Sequence, residues 1–292
     1  MVSRPAGLLA GLILLAVLIS LPRPSVADRI DVIYPQRAHD GSVDAYPLAV
    51  LKLVLEKSGR PFDLRQERYV TTFPQSVQRL LDGRRVRVIW APTNYLLETM
   101  FHPVRVPIYR GLPGYRLFLI QRDRQEMFRD VTSLEQLQPL LSAQGFEWPT
   151  REILETADLR VFAASYDTIL RLVAWGRIDF FPRSLTDIFA ERRRHAARYP
   201  ELAVEKELLL RYRSVRYFFV NKADWQLAGA LEAGFEAAYV DGSFLKLFRE
   251  HPAMRDLLRQ ARLEERRVIH IDNPYLTRET AALPAHLLYD AN

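Results

Sequence analysis

The chain contains no cysteine. That one absence removes disulfides, thiol catalysis, cysteine zinc sites and a lipid-bearing N-terminal cysteine together. There is no G-x-S-x-G, no P-loop and no G-x-G-x-x-G, so the usual local signatures of a hydrolase elbow or a nucleotide cradle are missing. Six histidines occur, none in H-x-x-x-H or H-E-x-x-H spacing. Glu98/His102 and Glu191/His195 stand at i, i+4, a spacing far commoner in surface helix pairs than in metal sites, and no metal or cofactor is expected. A dispersed Ser/His/Asp triad has no local signature, and nothing in the chain suggests one. Only five of the 41 basic residues are lysines, and acids are interspersed among the arginines. The one dense run, Arg192-Arg193-Arg194, follows Glu191 in a helical stretch and reads as a solvated face. The net charge of +6 therefore does not point to nucleic acid. No internal repeat or low-complexity tract appears.

Long apolar runs are also scarce, with one exception. Residues 7–21 (GLLAGLILLAVLISL) follow Arg4 and run into Pro22 and Pro24, and Ser25-Val26-Ala27 places small residues at −3 and −1 of a cleavage site. A charged start, a short apolar core and a small-x-small exit predict a secretory signal peptide over residues 1–27. Its run of 15 residues, broken only by Ser20, is shorter than the roughly 20 apolar residues that span a bilayer. Removal of Arg4 and Arg23 with it lowers the net charge to +4. The mature chain would begin at Asp28, in a periplasm, and is long enough to build one large domain or two medium ones without disulfides.

Short β-rich runs alternate with amphipathic helical patterns. Ile30 to Tyr34 reads as a strand ending at Pro35; Asp44 caps a helix carrying Leu48, Leu51 and Leu55 and stopping at Gly59. Phe62 to Glu67 is the next strand, Pro74 opens a helix closed by Gly83, and Val86 to Trp90 is a third strand. After the Pro- and Gly-rich passage 103–114 a second block begins at Leu117 to Ile120. Ser133-Leu134-Glu135-Gln136 is a capping box, Trp148-Pro149-Thr150 opens a helix, Leu159 to Ala163 is a strand and Ser165 caps a helix ending at Gly176. Ile178 to Phe181 reads as a strand, Pro182-Arg183 as a sharp loop, and Ser184 as the cap of the arginine-bearing helix. Val215 to Val220 is a strong strand, followed by helices from Asp224 and Ser243 and a closing strand at Ile269-His270-Ile271. The class is α/β with mostly parallel sheets.

Gly176-Arg177-Ile178-Asp179, followed by Phe180-Phe181-Pro182-Arg183, resembles the G-R-x-D strand of type II periplasmic solute-binding proteins, in the amino-acid-binding-like (family 3) branch. Leu55 to Gly59, Leu81-Asp82-Gly83, the strand to Trp90, Pro107-Ile108, Ser133 to Leu137 and Asp241 to Phe244 stand where that family has similar pieces. The resemblance covers nearly all of the mature chain, and the order and spacing of the motifs carry it. It implies a two-lobed fold with two crossing hinge strands, a monomer, and a small-molecule ligand held in the cleft by hinge closure. Lobe one would be 28–114 plus 221–292 and lobe two 115–220, with crossings near Tyr115-Arg116 and Arg216-Tyr217. A membrane transporter or sensor would be the partner; an extracytoplasmic sensing or interaction module and an enzyme on this scaffold are the alternatives. In amino-acid binders an arginine after the third strand and an acid after the G-R-x-D strand clamp the ligand. Here Leu97-Glu98-Thr99-Met100 and Arg183-Ser184 stand there, so an anionic or aromatic ligand is expected in place of an α-amino acid.

Ligands of open α/β sheets sit beyond the carboxyl ends of strands. That rule selects Tyr34 and Arg37 after the first strand, Thr72 after the second, and Trp90 and Thr93 after the third. In the second block it selects Trp148 and Thr150 at a helix start, Tyr166, and Arg183. The competing readings are core packing for Trp90, simple packing for Trp148 and Tyr166, and a bridge to a neighbouring acid for Arg183.

Overall fold

The computed structural model describes residues 29–37 and 41–290, with backbone alone at 37 and 41–44. The export segment read over 1–27 lies outside the described residues. The first block runs β1 (Ile30–Arg37), α1 (Gly41–Lys57), β2 (Phe62–Thr71), α2 (Phe73–Asp82), β3 (Val88–Pro92), α3 (Tyr95–Met100) and β4 (His102–Val104). β1 and β2 pair in parallel from Ile30 opposite Phe62. β1 does not stop at Pro35: the register shifts between Tyr34 and Gln36, so a bulge accommodates the residue without an N–H and pairing resumes to Arg37. Helix α1 already starts at Gly41, which puts Asp44 inside its first turn and not at its cap. The Arg87 N–H donates to the Ile33 carbonyl at 2.8 Å and ties the approach to β3 to β1.

The second block comprises β5 (Tyr115–Gln121), α4 (Leu134–Leu137), β6 (Leu141–Gly145), α5 (Pro149–Thr156), β7 (Arg160–Ala164), α6 (Tyr166–Ala174), β8 (Phe181–Ser184), α7 (Leu185–Arg194), β9 (Leu202–Val204) and β10 (Leu208–Arg211). β6 and β7 are parallel, a Ser142–Phe180 bridge brings β6 to β8, and β5 pairs antiparallel with β8, β9 and β10. The strand expected at 178–181 is displaced to Phe181–Ser184 and contains the Pro182-Arg183 pair read as a loop. Pro182 has no N–H for the ladder, but its carbonyl accepts from Gln144 Nε2 at 3.1 Å, and Phe118 lies opposite it in β5. Asp179 of the G-R-x-D stretch is a clip: it accepts from the Leu141 N–H at 2.7 Å and from Arg124. Phe118, Phe128 and Phe180 pack ring to ring as the centre of this block's core.

The chain then returns. β11 (Arg216–Val220) inserts between β3 and β4, antiparallel to both, and buries Phe218 against Trp90. α8 (Trp225–Val240), α9 (Ser243–Glu250) and α10 (Pro252–Ala261) follow, with α8 packed on α1. β12 (Arg267–His270) pairs in parallel with β10 and so joins the second sheet, although it lies in the segment assigned from sequence to lobe one. The last helix, α11 (Arg278–Ala281), lies back near β11, where the Thr280 and Tyr217 hydroxyls share a hydrogen bond. Between the two sheets the outgoing and returning chains touch at Gly114. A Cβ there would stand 1.9 Å from the Tyr212 carbonyl oxygen, so only glycine allows the approach in which the Tyr212 N–H donates to the Gly114 carbonyl at 3.1 Å.

Candidate functional site

The two crossings form the floor of a cleft of about 310 Å³ between the sheets. Thr93 and Asn94, just beyond β3, and Arg216 at the start of β11 come from the first sheet. From the second block come Arg116 of β5, Arg183 of β8, Trp148 and Thr150 at the start of α5, and Asp187 of α7. Tyr212 and Ser214 lie on the return crossing, and Asn273 and Tyr275 follow β12.

Trp148 is placed by Gly145, whose missing side chain leaves room for the indole: a Cβ at 145 would lie 2.7 Å from ring atoms. Beneath the indole sits the Arg183 guanidinium, 4.5 Å from the Trp148 ring centroid, 4.9 Å from Phe181 and 5.7 Å from Tyr166. Its Nε donates to Glu191 Oε2 at 2.6 Å and its Nη2 to the other carboxylate oxygen. The side chains of this pair are only 11% and 10% exposed. Burial works against the Arg183 charge, but Glu191 more than offsets it and holds the guanidinium more basic than usual. Arg183 thus lines the cleft as a bridged, stacked group, with two of its donors committed to Glu191.

Arg116 is different. It opens β5 opposite Ser184, is 9% exposed, stacks over Tyr212 at 5.1 Å, and donates from Nη2 to the Thr150 hydroxyl at 3.2 Å. Its Nε is buried without a hydrogen-bond partner. Burial, with Arg183 and Arg216 nearby, lowers its pKa; Asp187 acts in the opposite sense. Asp187 accepts from Arg216 Nη2 at 3.1 Å. Burial alone would raise its pKa, but Arg216, Arg183 and Arg116 together hold it below the usual carboxylate range.

Of the residues expected from sequence, the structure brings Thr93, Trp148, Thr150 and Arg183 to one cleft, with Tyr166 behind them against Trp148 at 6.2 Å. Tyr166 has a buried hydroxyl, and burial together with Glu191 pushes its pKa up. Trp90 is not at the cleft surface: at 2% exposure it is core, edge-on to Phe218, and Tyr34 packs against it at 6.1 Å. Burying a large apolar ring outweighs presenting it once β11 covers β3. Thr72 is an exposed helix cap whose hydroxyl accepts from the Gln75 N–H. Arg37 pairs by its backbone with Thr71, and its side chain lies outside the described residues. Arg116, Arg216, Asp187 and Tyr212 were not singled out. The available signal was an arginine at each crossing.

Glu98, at the clamp position, faces away from ligand chemistry. Its side chain is buried and accepts from Thr93, Arg105, Thr277 and Thr280. The i, i+4 pairings do not form: His102 meets Glu232, and Glu191 meets Arg183. Among the described residues no group of three potential metal ligands occurs, and no helix is long and apolar enough to cross a membrane.

Outward, the cleft continues into a groove of about 600 Å³ that shares Asn94, Trp148, Pro149 and Tyr275 with it. Tyr95 and Leu96 of α3 line the groove together with Phe146 of the β6–α5 turn; all three are exposed.

No family model matches the chain, and no curated protein does. Solved structures do. The chain is similar to the probable amino-acid ABC transporter extracellular-binding protein ytmK of Bacillus subtilis, with 12% identity over 77% of this chain and 97% of that one and a TM-score of 0.56. It is also similar to an ancestral amino acid-binding protein described as a precursor of cyclohexadienyl dehydratase (12% identity, 77% and 95% covered, TM-score 0.50). An ancestral arginine-binding protein bound to glutamine matches at 11% identity, 77% and 98% covered, with a TM-score of 0.50. At such identities the likeness establishes the fold, and it bears out the two-lobed type II class read from the sequence.

Proposed function

On this two-lobed type II scaffold, we propose that the chain is an extracytoplasmic receptor that captures a small solute in the interlobe cleft and releases it unchanged. The observation that carries the reading is the composition of the cleft. Polar groups converge on one cavity from the first block (Thr93, Asn94), the second (Thr150, Asp187) and both crossings (Arg116, Arg216). A solute touching all of them gains contacts only when the lobes approach, which is how binding drives closure. We take lobe one as 28–114 plus 221–292 and lobe two as 115–220, with β12 reaching across to the second sheet. The hinge is then the Gly114–Tyr212 contact and its flanks. Delivery to a membrane transporter or sensor follows from the fold and is part of the proposal.

The test is a thermal-shift screen of metabolites, because a ligand at 100 times its Kd raises stability by about 2.7 kcal/mol. Hits are then followed by small-angle scattering. Stabilisation accompanied by compaction supports the reading. Turnover of a stabilising compound would replace it with an enzyme on the same scaffold.

A further inference from the structure

The arginines lining the cleft are not matched alike: Arg183 and Arg216 each bond a carboxylate, and Arg116 bonds a hydroxyl. Arg116, Arg183 and Arg216 lie within electrostatic reach of one another and of Asp187. Glu191 is the other carboxylate of the group and is spent on Arg183. Among the described residues Glu191 bonds Arg183 and Asp187 bonds Arg216. Arg116 is the arginine of the three with no carboxylate bonded to it: its Nη2 goes to a neutral hydroxyl, and its Nε has no hydrogen-bond partner. A buried cation without a counter-ion is costly, and a ligand carrying one negative charge removes that cost.

The remaining surface specifies the rest of the molecule. Trp148 and Tyr275 line the same cavity as Arg116, and the groove beyond is walled by Tyr95, Leu96 and Phe146. Beside Arg116, by contrast, an ammonium finds no open carboxylate: Asp187, the one acid in the lining of the cleft, bonds Arg216, and the exposed acids Glu147 and Glu152 line only the outer groove.

Resting on the cleft reading above, we propose that this site takes a monocarboxylate bearing an apolar, preferably aromatic, body and no α-ammonium. The carboxylate answers Arg116, whose planar fork suits it, and the body lies along Trp148 and Tyr275 towards the groove. A phosphate monoester brings nearly two charges at pH 8 to a guanidinium that carries one.

Calorimetric titration at pH 8 tests this with 3-phenylpropionate, phenylalanine, 3-phenylpropylamine and phenyl phosphate. The expected result is a saturable response to 3-phenylpropionate, with the other three at least about tenfold weaker, the factor that one charge-assisted hydrogen bond typically commands. Arg116→Gln should weaken 3-phenylpropionate by about ten- to a hundredfold. If that variant does not fold, Tyr275→Ala and Phe146→Ser, both at exposed positions, should each lower the affinity severalfold without moving Tm. Phenylalanine or phenyl phosphate binding as tightly as 3-phenylpropionate overturns the inference, as does an affinity indifferent to Arg116 and Tyr275. Silence towards 3-phenylpropionate while another solute in the screen stabilises and compacts the protein ends this inference and leaves the receptor reading standing. Silence towards every solute ends both.

Discussion

Removing the Arg183 guanidinium tests whether the cage beneath Trp148 holds the fold or the ligand. Arg183→Leu leaves Glu191 in place at 10% exposure with its principal counter-ion gone. Breaking a buried pair from one side costs about 3–5 kcal/mol, because the surviving charge is stranded. Loss of the stacking against Trp148 and Phe181 acts in the same direction. For a chain of this size each kcal/mol moves Tm by roughly 2–4 °C, so a fall of roughly 6–20 °C is expected. Glu191→Gln should cost a similar amount. The double variant Arg183→Leu with Glu191→Leu should recover much of the loss, since two apolar groups of similar volume strand no charge. Urea or thermal unfolding followed by near-UV circular dichroism reads all three. Ligand affinity should fall less than about tenfold in the single variants, because two donors of Arg183 already belong to Glu191. A Tm within about 2 °C of the parent, combined with a large loss of affinity, would refute the reasoning and return Arg183 to the ligand.

Burial alone would raise the Glu98 pKa, but hydrogen bonds from Thr93, Arg105, Thr280 and Thr277 lower it below its ordinary value. The depressed folded value means its stabilisation is complete above the unfolded carboxyl pKa of about 4.3 and is lost as pH falls through the lowered one. Glu98→Gln should flatten that acid limb of the stability profile and expose the backbone near Thr277 to limited proteolysis, read by mass spectrometry. Gly114→Ala forces a Cβ to within 1.9 Å of the Tyr212 carbonyl. It should cost at least about 1–3 kcal/mol and reduce the compaction that any stabilising solute induces, measured by scattering. Protein recovered from the periplasmic fraction should begin at Asp28 on N-terminal sequencing; material retaining residues 7–21 in the membrane would contradict the export reading.

Much of the fold was legible because local chemistry wrote it. Ser133 with Gln136, Ser165 and Ser184 cap helices where their sequence positions say they should, since a cap needs only its own next three residues. The errors fall where pairing overrides local preference. Pro35 and Pro182 read as strand breakers, yet both lie within strands, one at a bulge and one with its carbonyl taken by Gln144. The short strands β4, β9 and β10 carry too few residues to show a period, and neighbouring strands define them.

The site divides along the same line. The strand-end rule picks out Thr93, Trp148, Thr150 and Arg183, which line the cleft, but equally Tyr34, Thr72 and Trp90, which do not. Composition and spacing likewise determined that cysteine chemistry and local metal motifs are absent. What the sequence could not express is how much each charge is already matched. Glu191 lies eight residues beyond Arg183 and neutralises it. Arg216 bonds Asp187, while Arg116, a hundred residues earlier in the chain, only influences that carboxylate electrostatically. Burial and counter-ions are properties of positions in space, and only the tertiary structure decided that Arg183 has a bonded carboxylate and Arg116 has none.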